Sequence, residues 1–505
     1  MTMLWPGATV GTLSKLELSW LTFTAVLWLI ATLYKIRMSD DRPQALFWLF
    51  WSVSCAGNLL LIAAQDVLGF YIGFSMMSLG AYALVIHSGK PAARRAGRVY
   101  LQLAILGEMA LLASLLMASH AGNGSLLLSE VQQSDIPPIA ALLLLLGLGL
   151  KAGFWPLHGW LPLAHPAAPA PASAVLSGAM IKAGILGLWK IMPESAISGQ
   201  SALLIMTLAM ISAMYGVLAG LMQHEVKRIL AYSSVSQVSY LLFLLALAWL
   251  MPEHRTLIAT VLTIYTVHHG LIKGSLFIAA DFFSVRSQSL VMNRANQFML
   301  LVAALAIAGL PITSGMAAKS ALKSLLEGEP LALWYTLISV GSVATSLIII
   351  KVLLTFRARH ATAAIQPTDP VKATLWWMLS LSAIALPWLW PDMREPLVSS
   401  LATDKLWAAS WPIVLGGLIY WAWPARWTRA LSGAEKIGLC IPSLSLKLKQ
   451  AINRLATSPT DFSFSDKKLR KFERRWNRLW QGSTVNVSAL LLIAVMLLTG
   501  ALMYA

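Results

Sequence analysis

An all-α, polytopic membrane protein is the fold class this sequence predicts, and three observations predict it. Only 12% of the 505 residues are charged, against about 25% in a soluble domain. Hydrophobic residues make up 58% of the chain and the mean hydropathy is +0.70. Apolar runs of roughly twenty residues, the length that crosses a bilayer as a helix, recur from end to end. Together they exclude a soluble enzyme, a secreted disulfide scaffold and a nucleic-acid-binding domain.

The runs number about fourteen: 18–36, 45–64, 67–87, 98–119, 137–163, 172–192, 201–222, 227–250, 256–283, 296–325, 331–357, 373–390, 407–423 and 486–504. Trp5, Pro6 and Glu17 ahead of the first run lack a signal-peptide pattern, so that run reads as a retained span. The fifth run passes through Pro156, Pro162, Pro166, Pro169 and Pro171, and the tenth contains Gly309, Pro311 and Gly315. Proline removes a backbone donor and blocks the preceding turn, so both read as broken helices. Broken helices at matching positions, five spans apart, predict two inverted five-helix repeats, a transporter-type pattern. The expected organisation is an N-terminal span (1–44), a first repeat (45–192), a second repeat (193–360), two further spans (361–423), a basic segment (424–485) and a last span (486–505).

The excess of 38 basic over 21 acidic side chains, a net charge of +17, sits in loops. Loops after odd-numbered spans carry Lys35, Arg37 and Arg42; Lys90, Arg94, Arg95 and Arg98; Lys227 and Arg228; Arg286 and Arg294; Arg357, Arg359 and Lys372. Loops after even-numbered spans carry Asp66, Glu130, Asp135, Glu327 and Glu329. The positive-inside rule places the basic loops in the cytoplasm and both termini in the periplasm of a bacterial inner membrane. From Pro424 to Thr484, thirteen Lys or Arg face four Asp or Glu, with Trp476 and Trp480 among the charges. This segment reads either as a surface helix docking a partner subunit or anionic lipid, or as an ordinary basic loop.

Charges inside apolar runs are costly, about 2.5–3.5 kcal/mol each on insertion scales, and so mark candidate sites. Glu108, Lys151, Lys182, Lys273 and Lys319 are the principal ones. Four central lysines and one central glutamate cannot all pair. Lys351 is a secondary candidate, with snorkelling to the nearer surface as the plainer account. Tyr265, His269 and Lys273 recur every four residues on one helix face, as a proton relay or as a polar seam between helices. His158 and His165 flank the first broken helix, where bonding freed backbone groups is the plainer role. Cys55 and Cys440 form no cluster motif, His224-Glu225 is not followed by a second ligand, and no P-loop is present, so no catalytic residue, cofactor or metal is expected. Energy for transport must then come from an ion gradient or a partner.

KAGFWPLHGWLPLAHPAAPAPASAVLSGAMIKAG from Lys151, QHEVKRILAYSSVSQVSYLL, HHGLIKGSLF and AGLPITSGMAAKSAL occur in that order over roughly residues 65–360. They resemble the four blocks of the antiporter-like membrane subunits of respiratory complex I, Mrp-type cation/proton antiporters and group 4 membrane-bound hydrogenases, including formate hydrogenlyase. The wording around WLPLAHPAAPAPASA is most similar to the complex I and hydrogenase types. The resemblance implies a proton-translocating subunit of a larger redox-coupled complex, working beside other membrane subunits. It also implies that Lys151, Lys182, Lys273, Lys319 and His269 match the family's proton-path positions. One departure stands out: FSMMSL places Ser75 where the family's W-E-L-M-S-L-like segment has glutamate. Either Glu108 takes over as the modulating carboxylate or the first half-channel is altered.

A carboxylate about 4 Å from a buried lysine is worth roughly 4 kcal/mol at an effective dielectric of 20. Moving one charge through 100 mV takes about 2.3 kcal/mol. A Glu108–Lys151 contact made and broken is therefore the expected switch, with Lys182 beside it and with His269 and Lys273 passing protons, or Na+, towards Lys319. Two other readings stay open: the membrane partner of a bicarbonate-accumulating complex, whose members also lack the glutamate at the Ser75 position, and a non-conducting scaffold.

Overall fold

The computed structural model describes residues 12–38 and 44–422. The expected basic segment 424–485, the span 486–504 and Cys440 lie outside the described residues. The described residues are mostly helical, with loops, one two-stranded parallel pairing, Val285–Ser287 with Ala364–Gln366, and an isolated antiparallel bridge between Asp66 and Leu127. Among the described residues, nine helices are long and apolar enough to cross a membrane, or ten when the pair around Trp390, bent by 83°, counts as one span.

Local sequence explains where the first helices begin. Ser14 and Glu17 form a reciprocal capping box that starts α1 (Lys15–Ile36). Helix α2 (Ala45–Ala63) is followed by α3 (Val67–Ile86), whose first turn is capped by the Asp66 carboxylate accepting from the Gly69 N–H at 2.7 Å. Proline at the first helical position opens α4 (Pro91–Ala121), where its missing N–H costs nothing. A single turn, α5 (Leu128–Val131), then leads to the first broken span.

That span is α6 (Pro138–Ala152), an irregular stretch from Gly153 to Trp160, and α7 (Leu161–Ala167). Pro169 and Pro171, expected within the same break, instead open the next element, α8 (Ala170–Val175). The chain continues through a π-helical turn (Leu176–Met180) into α9 (Lys182–Ile191). The physical reason is position: proline in a first turn starts a helix and breaks one only in its interior.

Helices α10 (Gly199–Leu221), α11 (Val226–Leu250) and α12 (Arg255–Phe282) precede the second broken span, α13 (Leu290–Ala308) with α14 (Ser314–Ser324). Gly315, expected in the break, lies in the first turn of α14. The remainder is α15 (Ala332–Ala361), α16 (Pro370–Leu389), α17 (Pro391–Ser399) and α18 (Thr403–Ala422).

Both breaks begin with glycine in the left-handed region, Gly153 at φ +73° and Gly309 at φ +98°, each terminating its helix. Side chains with a Cβ resist that conformation. At Gly309 an added Cβ would also come within 3.0 Å of the Lys319 Cδ. Gly309→Ala should therefore lower the stability of the purified protein by about 1–3 kcal/mol, read as a drop in thermal midpoint.

α1 ties the two ends of the bundle to different partners. At one end, Glu17 pairs with Lys190 of α9 at 2.5 Å, with both side chains under 10% exposed. Lys190 also donates to the carbonyls of Ile62 (3.0 Å) and Ala64 (2.6 Å) at the end of α2, and Gln65 donates to Glu17 at 3.0 Å. At the other end, Tyr34 donates to Asp281 of α12 at 2.9 Å, and Arg37 pairs with Asp369 before α16 at 3.1 Å. This second end carries the basic loop residues and is termed the basic face; the opposite end is the acidic face. Removing one partner of a buried ion pair strands the other charge, at about 3–5 kcal/mol. Lys190→Ala should therefore sharply reduce the thermal midpoint, while Glu17→Leu combined with Lys190→Met should recover much of the loss.

Candidate functional site

Three of the four central lysines lie beside a helix break or the π-turn, Lys151 and Lys319 at the breaks and Lys182 after the π-turn, and Lys273 lies on the unbroken α12. Lys151 is the penultimate residue of α6, about 20 Å along that helix at 1.5 Å per residue. It is 5% exposed and donates to Tyr100 Oη at 3.2 Å, and its ammonium faces the rings of Tyr100 (5.7 Å) and Phe74 (6.0 Å). Tyr100 in turn donates to the carbonyl of Ser78 at 2.7 Å. A cavity of about 10 Å³ lined by Phe74, Ser78, Tyr100, Lys151 and Trp160 leaves space close to that of one water.

Glu108 reaches this cluster from α4. It is buried, Ser78 and Ser75 are its neighbouring hydroxyls, and Lys151 lies within electrostatic range. Its Oε1 makes no hydrogen bond of good geometry to protein, and neither does Ser75 Oγ. Of the contact expected to be made and broken between Glu108 and Lys151, the structure shows the open arrangement, since none of the ion pairs among the described residues joins them. Tyr100 takes the Lys151 ammonium, and the carboxylate acts on it across a gap. Glu108 and Ser75 nonetheless converge, so a carboxylate on α4 stands beside the α3 position where the sequence departs from the family pattern.

Lys182 and Lys273 are fully buried. Lys182 opens α9 and donates to the carbonyl of Ser177 within the π-turn. Lys273 donates across to α11, to the Leu230 carbonyl at 3.0 Å and to Ser233 Oγ. The two lysines are within electrostatic range of each other. His269, one turn from Lys273 on α12, lies in the field of both, and neither of its ring nitrogens has a protein partner among the described residues. Its neighbour His268 bonds Ser314 Oγ at 2.7 Å, at the start of α14, and lies within range of Lys319. Tyr265 donates to Gln237 at 2.8 Å, and Gln237 donates to Thr345 at 3.3 Å.

Lys319, on α14, donates to the carbonyl of Ala308, the last residue of α13, at 2.7 Å. The C-terminal end of a helix carries unsatisfied carbonyls and partial negative charge, a favourable seat for an ammonium. Unlike Lys182 and Lys273, this lysine borders open space. A cavity of about 330 Å³, lined by Lys319, Lys323, Glu327, Tyr335, Asp392 and Glu395 among others, lies towards the acidic face beneath α17.

The other candidates separate from this line. Lys351 is half-buried on α15, ten residues before that helix ends, deeper than the expected span end at 357 places it. His158 packs edge-on to Tyr215 at 4.9 Å, and its Nδ1 has no partner. The expected bonds from His158 Nδ1 and His165 to freed backbone are not formed; both nitrogens of His165 are also unpartnered, and its ring stacks on Phe277 at 4.4 Å. In the other direction, sequence reading passed over Gln237, Ser233 and Ser234, although the polar density of YSSVSQVSY within an apolar run was their signal. It also passed over His268 and the Glu17–Lys190 pair.

The arrangement is thus an ordered set of ammonium groups and imidazoles at mid-bundle, with a carboxylate at one end and a wide cleft at the other. A family model described as "NADH:quinone oxidoreductase/Mrp antiporter, TM" matches residues 64–348, which hold all of these lysines except Lys351. The chain belongs to that family. Among curated relatives, hydrogenase-4 component B of Escherichia coli (strain K12) is 32% identical over 272 residues, 51% of this chain and 40% of that protein. NADH-quinone oxidoreductase subunit N of Desulforudis audaxviator (strain MP104C) is 31% identical over 300 residues, 55% of this chain and 58% of that protein. The matched region therefore spans about half the length of these relatives. Two solved assemblies contain chains of the same fold. The Mrp complex from Dietzia sp. DQ12-45-1b matches with a TM-score of 0.74 at 18% identity, covering 99% of this chain and 58% of that one. The archaeal membrane-bound sulfane sulfur reductase matches with a TM-score of 0.70 at 20% identity, covering 97% and 89%.

Proposed function

We propose that this chain moves protons through Lys151, Lys182, Lys273 and Lys319, as a subunit of a larger redox-coupled complex in the bacterial inner membrane. The single observation that carries this reading is that none of these four lysines is ion-paired with a carboxylate among the described residues. A carboxylate in contact with a buried lysine would hold it in the charged form. These four rest on neutral oxygens, which serve an ammonium and a neutral amine alike, so each can gain and lose a proton without the bundle coming apart.

Coupling between neighbours has the right size. Two like charges about 8 Å apart at an effective dielectric of 20 repel by roughly 2 kcal/mol, comparable to the 2.3 kcal/mol for one charge crossing 100 mV. Loading Lys182 therefore favours release from Lys273, and the imidazole of His269 lies in the field of both. Glu108 modulates Lys151 from beside Ser75, in place of the carboxylate that the family pattern carries on the preceding helix. The cleft under α17 is the aqueous route from Lys319 to the acidic face, which the positive-inside rule assigns to the periplasm.

On this reading the two broken spans belong to inverted five-helix repeats, 45–192 and 193–360, within a fourteen-span chain. The segments 1–44, 361–423 and 486–505 then flank the repeats, and the basic segment 424–485 meets a partner subunit or anionic lipid. Relatives named as hydrogenase and NADH-quinone oxidoreductase components, and a structural neighbour solved as a multi-subunit Mrp complex, support a place among other membrane subunits.

The test is proton flux in proteoliposomes holding the native complex. Lys151→Ala and Lys319→Ala should each cut coupled proton translocation at least tenfold, with subunit composition unchanged. Wild-type flux in both variants would overturn the proposal, and absence of flux from the intact wild-type complex would favour a scaffold.

A further inference from the structure

Tyr265, His269, Lys273, Phe277 and Asp281 recur every four residues along α12, on one row of the helix. Four of the five are polar or charged. Phe277 is the one apolar rung, and it separates Lys273 from Asp281. The Asp281 side chain lies at the basic-face end of the row and is 24% exposed; it accepts from Tyr34 Oη at 2.9 Å and pairs with Lys372 at 3.5 Å. Lys273 lies eight residues deeper, about 12 Å along the axis, with no exposure at all.

At the apolar rung another side chain fills the gap. The ring of His165, from α7, lies nearly flat on Phe277, centroids 4.4 Å apart and planes 20° apart. His165 is wholly buried, and Nδ1 and Nε2 both lack a protein partner among the described residues. Buried polar atoms are almost always bonded, so two orphaned nitrogens on one ring point to transient partners such as water. Inward of the ring lie Lys182 and Lys273; outward lies Lys227, which donates to the Ala168 carbonyl at 2.7 Å, three residues after His165. Asp281 acts electrostatically on Lys227 in turn. A neutral imidazole accepts a proton at one nitrogen and releases one from the other, as crossing an apolar rung requires.

We propose that Asp281 collects protons at the basic face and that His165 carries them past Phe277 to Lys273 and Lys182, making these two residues the inlet of the central lysine line. The proton passes from bulk water to the Asp281 carboxylate, then by way of water to one His165 nitrogen. The other nitrogen gives up its proton to a neutral lysine amine, and the imidazole returns to its starting charge. This inlet rests on the reading of the central lysines as proton carriers.

The test uses the intact complex in proteoliposomes, with Lys273→Ala as the reference block. Asp281→Asn keeps an oxygen for Tyr34 but removes the carboxylate, whereas Asp281→Glu restores it. Asp281→Asn and His165→Ala should each slow proton uptake from the basic face at least fivefold, and Asp281→Glu should stay within twofold of wild type. Imidazole at tens of millimolar, added on the basic-face side, should restore His165→Ala severalfold, which a purely structural histidine would not allow. If His165→Ala fails to assemble, His165→Gln keeps the volume and should show the same loss. Wild-type uptake in Asp281→Asn and in the His165 variant, with Lys273→Ala blocked, overturns the inlet alone. Wild-type uptake in Lys273→Ala instead overturns the underlying reading.

Discussion

An ammonium group in a low-dielectric interior must find oxygen, and that requirement organises the middle of this bundle. A regular helix consumes its own carbonyls, leaving few for a side chain. For Lys319 and Lys182 the interruptions supply them, while Lys273 shares the Leu230 carbonyl of α11 and bonds Ser233. The end of α13 offers the Ala308 carbonyl to Lys319, and the π-turn offers the Ser177 carbonyl to Lys182. Lys151, in the last turn of α6, finds a tyrosine hydroxyl instead. Irregular backbone at membrane depth and buried charge thus occur together because each relieves the cost of the other.

The same requirement separates two kinds of buried lysine. Lys190 has a carboxylate and two carbonyls and is a clasp, holding the first helix to the end of α2 and to α9. Lys182 and Lys273 have neutral oxygens as partners and orphaned imidazoles nearby, with no carboxylate in contact among the described residues. Burial alone does not distinguish them; the partners do. The Glu17–Lys190 clasp at one end of α1 and the Tyr34–Asp281 contact at the other make that helix a strut across the bundle. Its far end meets the residue that begins the polar row on α12.

Ser75 and Glu108 meet from neighbouring helices, α3 and α4, beside the Tyr100–Lys151 contact. Side chains of α3 (Ser75, Ser78) and α4 (Glu108) reach the same volume, because both helices pack around Tyr100 and Lys151. The gap between Glu108 and Lys151 leaves the two charges coupled without binding them into a permanent pair. A carboxylate in contact would hold the lysine charged and remove it from a relay.

Composition and apolar run length determined by themselves that this is a polytopic helical protein, since continuous apolar runs of about twenty residues satisfy their backbone in lipid as helices, whereas barrel strands are about ten residues of alternating character. Gly309 and Pro311 in one run, and Pro156 and Pro162 in another, marked both broken spans, because proline and left-handed glycine act on the backbone locally. Charges in apolar runs marked the lysines, because the cost of burying them needs no knowledge of neighbours. Tertiary structure alone decided which of those charges have partners. Glu17 meets Lys190 from 173 positions away, His165 lies on Phe277 from a different helix, and Glu108 converges on Ser75 without touching Lys151. Hydropathy and period give a side chain's depth and face within its own helix. Which groups it meets depends on how the helices pack around one another, and no single segment of the chain encodes that.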